Sequence, residues 1–107
     1  TLSYNSIPQW VADGRQEALL ELTGQAWRTR ALGDFWPYML VAEGSLDMAG
    51  EPDLQPYDMA AIQPIIEGSG GRFSSLDGES SIWTGSALAT NGLLHDEVLS
   101  IVQKAPA

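Results

Sequence analysis

Apolar residues at Met59, Ile62, Ile65 and Ile66 recur at three- and four-residue steps, the spacing of one face of an α-helix. A polar, proline-marked loop over 51–55 precedes them, and Gly68-Ser69-Gly70-Gly71 follows as a helix stop. The pattern predicts a helix from about Pro56 to Gly68, bent at Pro64. Arg72-Phe73-Ser74 then begins a strand. Asp58 falls in the first turn of the helix, where a carboxylate suits the positive end of the dipole and can cap free backbone N–H groups.

The remaining pattern alternates short strands with helices. Leu2 to Ile7 is expected to be a strand closed by Pro8. Asp13 is expected to cap a helix, with Gln16 completing a capping-box-like pair. Val11, Arg15, Ala18, Leu19 and Leu22 mark one face of that helix, and Gly24 ends it. Trp27 to Leu32 alternates as a strand with one wet face. From Gly33 to Gly44 the chain is apolar on most sides, which predicts a largely buried helix capped by Asp34, with Pro37 in its first turn. Ser45 to Gly50 and Ala87 to Thr90 are strands. Asn91-Gly92 starts a last amphipathic helix that buries Leu94, Val98, Ile101, Val102 and Ala105. There are no internal repeats and no long linker. The expected architecture is one α/β domain over 1–107, a layered sandwich of helices around a small mixed sheet.

Composition narrows the function classes. The 107 residues are 44% hydrophobic and 18% charged, the balance of a folded domain rather than a disordered one. A net charge of −9 argues against nucleic acid and against an anionic membrane surface as partners. No apolar run approaches the ~18 residues of a membrane span, and the expected location is cytoplasmic. Without cysteine there is neither a disulfide framework nor a thiolate metal site. The single histidine, His95, lies off the apolar face of the last helix and is expected at the surface. The four tryptophans are expected to anchor core and loops. Neither a Gly-x-Ser-x-Gly nucleophile turn nor a Gly-x-x-x-x-Gly-Lys phosphate loop is present. Carboxylates remain: Glu51, Asp53 and Asp58 around one loop and helix start, and Asp34 at another helix start.

Tyr57-Asp58-Met59-Ala60-Ala61, a helix containing Pro64, then Gly70-Gly71, resembles the second signature of the inositol monophosphatase-like superfamily, with Tyr57 in place of the usual tryptophan. The order of Arg30-Ala-Leu-Gly33-Asp34-Phe35-Trp36, Val41-Ala-Glu-Gly44, Asp47, and Glu51 seven residues before Asp58 is similar to the C-terminal half of that family. Within it, Gly33 to Gly44, Ser6-Ile7-Pro8 and Leu88 to His95 look most like the histidinol-phosphate phosphatase branch of histidine biosynthesis. The resemblance implies a magnesium-dependent phosphomonoesterase, with Asp58 as a metal ligand and no residue here in direct catalysis. It implies substrate contacts for Gly33, Asp34, Phe35 and Glu51. The family's Asp-Pro-(Ile/Leu)-Asp-Gly-Thr motif is not in these residues. The chain is therefore expected to be the C-terminal half of a larger enzyme and inactive alone. Its implied partners are a small phosphorylated substrate, its own N-terminal half and a second copy in a homodimer. Inositol phosphate or a nucleotide phosphate is the alternative substrate, and a non-catalytic binding or assembly domain is the alternative class.

Overall fold

The computed structural model describes residues 1–33 and 36–103. Ten elements follow one another: β1 (Leu2–Ser3), α1 (Ile7–Ala12), α2 (Gln16–Gln25), β2 (Thr29–Arg30), α3 (Trp36–Ala42), β3 (Met48–Glu51), α4 (Pro56–Gly68), β4 (Arg72–Ser74), β5 (Ala87–Thr90) and α5 (His95–Val102). The strands form one sheet in the order β2-β1-β3-β5-β4. Strand β1 is parallel to β2 and β3, whereas β5 is antiparallel to β3 and β4. This is the expected mixed sheet.

Strand alternation sends successive side chains to opposite faces, and each face has its own core. Met48 and Leu88 join Trp10, Leu19, Leu22, Val98 and Ile101 under α1, α2 and α5. Ala49, Ala87 and Ala89 join Tyr38, Val41, Met59, Ile62 and Ile66 under α3 and α4. The small alanines let the helices of the second layer lie close to the sheet. Gly71 makes the same kind of approach in backbone, since a Cβ there would stand 2.5 Å from the carbonyl oxygen of Thr90. Gly70, at φ +93°, turns the chain out of α4 in a conformation that suits glycine. The double glycine after α4 thus serves packing.

Several boundaries differ from the sequence expectation. The first strand stops at Ser3, because Asn5 takes φ +67° and turns the chain away. Pro8 then sits in the first turn of α1, where its missing N–H costs nothing, rather than closing a strand. Asp13 is the C-cap of α1, not the N-cap of α2. Its carboxylate instead accepts from Arg15 Nη1 at 2.8 Å. Gly24 does not end α2, which runs to Gln25. The strand expected over 27–32 narrows to Thr29–Arg30. Pro64 lies within α4, one uninterrupted helix. The last helix begins at His95 because Asn91 Oδ1 accepts from the N–H groups of Leu93 and Leu94, making a turn first. Val98, Ile101 and Val102 are buried as expected, Leu94 is not, and Ala105 lies outside the described residues, as does the expected cap Asp34. Of the tryptophans, only Trp10 is a core anchor, donating to the Tyr4 carbonyl at 2.7 Å; Trp27, Trp36 and Trp83 are exposed. Among the described residues no helix is long and apolar enough to cross a membrane.

Candidate functional site

A cleft of about 340 Å³ opens where β3 ends and α4 begins, lined by Asn5, Gln9, Gly33, Glu51, Leu54, Asp58 and Ile62. Three residues singled out in the sequence, Gly33, Glu51 and Asp58, therefore meet in one place. Asp34 and Phe35 fall outside the described residues. Asp53 does not join them; it is exposed and lines a separate depression with Pro8, Gln9, Ala12, Asp13 and Pro52.

Asp58 is the third residue of α4. The N-cap is Gln55 and makes no side-chain cap. The backbone N–H of Asp58 donates to the Gln55 carbonyl at 3.1 Å. Among the described residues no hydrogen bond or ion pair reaches its half-buried carboxylate. The capping role open to it in the sequence is not used. A helix start holds such a group without spending it, since the dipole alone favours the charge.

Glu51, expected in the loop over 51–55, belongs to a strand and is buried. It closes β3 and is 4% exposed. Its strand parity places it over α3 and α4, where Tyr38 Oη donates to Oε1 at 2.8 Å. Asn5 Nδ2 donates to Oε2 at 3.0 Å and also to Gln9 Oε1. Burial, then the Glu51 charge and the hydrogen bond to it, raise the Tyr38 phenol well above its ordinary pKa, so it remains an O–H donor. Gly33 closes against this group: a Cβ there would stand 3.1 Å from Asn5 Oδ1. Sequence reasoning passed over Tyr38, Asn5 and Gln9. Tyr38 carried one signal, since a tyrosine on a buried helical face needs a partner for its hydroxyl.

The donors in the cleft are oxygens, which suits a hard cation such as Mg²⁺, a metal bound by one or two carboxylates together with substrate phosphate and water. Among the described residues no group of three or more acidic or histidine side chains converges on a single point. Asp58, unengaged and at the cleft wall, is the residue that fits a metal; Glu51 is already held by Tyr38 and Asn5.

His95 departs furthest from expectation. It is fully buried on the opposite face of the sheet, with Nε2 2.7 Å from Ser74 Oγ and Nδ1 3.0 Å from Thr90 Oγ1. Ser74 spends its hydroxyl hydrogen on the Ser75 carbonyl, so it accepts from Nε2–H. Thr90 accepts from the Gly92 N–H and donates to Nδ1. A neutral ring with its proton on Nε2 satisfies every one of these contacts. Burial, helped by Arg72 and opposed by Asp96, lowers its pKa to about 4.

Residues 3–107 match the Inositol monophosphatase family. The chain is 48% identical over 104 residues to a histidinol-phosphatase of Streptomyces coelicolor, covering 97% of this chain and 39% of that protein. It is 49% identical over 100 residues to a histidinol-phosphatase of Mycobacterium tuberculosis, covering 94% and 38%. The chain thus spans about two-fifths of the length of these relatives. An inositol monophosphatase from Zymomonas mobilis superposes with a TM-score of 0.85 at 25% identity, covering 96% of this chain and 42% of that one. Profile, relatives and fold agree, and the chain belongs to the inositol monophosphatase family.

Proposed function

We propose that this chain is the C-terminal part of a metal-dependent phosphomonoesterase that hydrolyses histidinol phosphate. The observation that carries the reading is the shared cleft, where an unengaged carboxylate, Asp58, stands beside a buried and oriented one, Glu51. Two relatives near 48% identity that bear the name histidinol-phosphatase favour that substrate.

In this reading Asp58 is the residue of this chain that holds Mg²⁺, and the remaining ligands come from the protein's N-terminal half. The bound metal would activate the attacking water and stabilise charge on the phosphoryl oxygens. Glu51, Gly33, Asp34 and Phe35 meet the alcohol portion of the substrate. The amine of histidinol phosphate is a cation, and a carboxylate held in a partly dry cleft is a suitable acceptor for it. The working enzyme is a cytoplasmic homodimer, and the 107 residues alone are inactive.

The fold's likeness to an inositol monophosphatase makes inositol phosphate the competing substrate. The complete protein should be assayed on histidinol phosphate, inositol 1-phosphate and 2′-AMP, with Mg²⁺ and with excess chelator. The reading expects highest kcat/KM on histidinol phosphate and loss of activity with chelator. Preference for inositol phosphate would move the protein to the competing reading, and chelator-resistant turnover would remove the metal role of Asp58.

A further inference from the structure

A carboxylate at the end of a central strand is costly to bury unless donors meet it. Among the described residues, donors meet Glu51 on both oxygens: Tyr38 from α3 and Asn5 from the turn after β1. A carboxylate held at one oxygen can still swing about its last torsion, which has a broad profile. Donors on both oxygens fix the plane of the group. Asn5 adopts φ +67°, a left-handed conformation that asparagine tolerates better than most residues. Its amide is steadied in turn by Gln9 of α1. If Tyr38 needed only a buried partner, a backbone carbonyl would suffice. Its partner is instead a charged group on the wall of an open cleft.

We propose that Tyr38 and Asn5 are positioning residues that orient Glu51 towards the cleft, and that this orientation selects phosphate monoesters whose alcohol portion carries a cationic amine. The inference rests on the phosphatase reading above and adds to it the side chains that make Glu51 selective. An acceptor fixed in direction discriminates, because only a substrate that brings a donor along that direction gains the charge-assisted hydrogen bond. The raised pKa of the phenol agrees with this role, since Tyr38 keeps its O–H to donate to Glu51.

The test is Tyr38→Phe in the complete protein, with Glu51→Gln and the double variant. For histidinol phosphate, Tyr38→Phe should raise KM about tenfold, the scale of one hydrogen bond to a charged group, with a much smaller change in kcat. The loss on p-nitrophenyl phosphate, which has no amine to offer, should be several times smaller. Once Glu51 is glutamine, adding Tyr38→Phe should cost less than about twofold more, because the effect travels through Glu51. Equal losses on both substrates, or additive losses in the double variant, would reduce Tyr38 to a fold-holding residue. A wild-type enzyme inactive on histidinol phosphate would defeat the substrate reading separately, before any variant is made. A crystal structure of Tyr38→Phe decides the positioning claim in that case: Glu51 should turn from the cleft, and an unmoved carboxylate overturns the claim.

Discussion

The sheet carries one buried polar centre on each face, and they are built to different ends. Under α5, His95 meets Ser74 and Thr90, and each hydrogen of the trio has an acceptor within the group or its backbone. Under α3 and α4, Glu51 meets Tyr38 and Asn5 but lines a cleft, beside an Asp58 carboxylate engaged by no described residue. The first centre is closed on itself and pins a helix to two strands. The second holds charge at an opening. Burial alone therefore does not mark a functional residue in this fold. His95 is bonded at both nitrogens and shut away from solvent, whereas the Asp58 carboxylate stands beside open space with no partner among the described residues.

Asp58→Asn in the complete protein is the largest expected break in this contrast. Activity should fall about a hundred- to a thousandfold, the scale of several kcal/mol of metal-derived charge stabilisation. Thermal unfolding should barely move, because the carboxylate makes no cap to lose. Retained activity would place Asp58 with the structural residues.

His95→Ala is the mirror experiment. It takes away the acceptor of the Thr90 hydroxyl hydrogen and the donor to Ser74 Oγ and leaves a cavity in a dry site, at a cost of about 3 kcal/mol by urea unfolding. The kcat/KM of the folded fraction should be unchanged. A drop in kcat/KM without a drop in stability would reverse the roles assigned to the two faces.

The same residue sets a pH signature. The folded His95 has its pKa lowered to about 4, so in acid the unfolded chain binds the proton first. Stability from this group is full above about pH 6.5 and declines as pH falls from there to about 4, by about 3 kcal/mol. Urea unfolding of wild type and His95→Gln across that window should show a steeper acid loss in wild type. Parallel slopes would show that other groups carry the acid sensitivity.

Glu51→Gln is the smallest and most selective change. Glutamine keeps the shape and loses the charge, so kcat/KM on histidinol phosphate should fall roughly tenfold, with a lesser fall on p-nitrophenyl phosphate. Paired assays on the two substrates read it directly. Indifference to the amine would leave Glu51 as a buried partner for Tyr38 and nothing more.

Local pattern determined a good deal on its own. The 3.6-residue rhythm of Met59, Ile62 and Ile66 defined α4 from Pro56 to Gly68, because a helix that packs on a sheet must present one apolar stripe. The mixed α/β layering followed from the alternation of elements, and the order of motifs from Arg30 to His95 indicated the family. What tertiary structure decided were partners distant in sequence. His95 lies off the apolar face of its helix, next to Asp96 and Glu97, and looks exposed there; β4 and β5 bring it Ser74 and Thr90, 21 and 5 residues away. Glu51 sits beside proline and aspartate and looks solvated; α3 brings a phenol from 13 residues back, and the turn after β1 an amide from 46 residues back. A side chain's identity states what it can donate or accept. Whether it is buried, and who answers it, depends on which elements close around it, and periodicity within ten or fifteen residues carries no record of that.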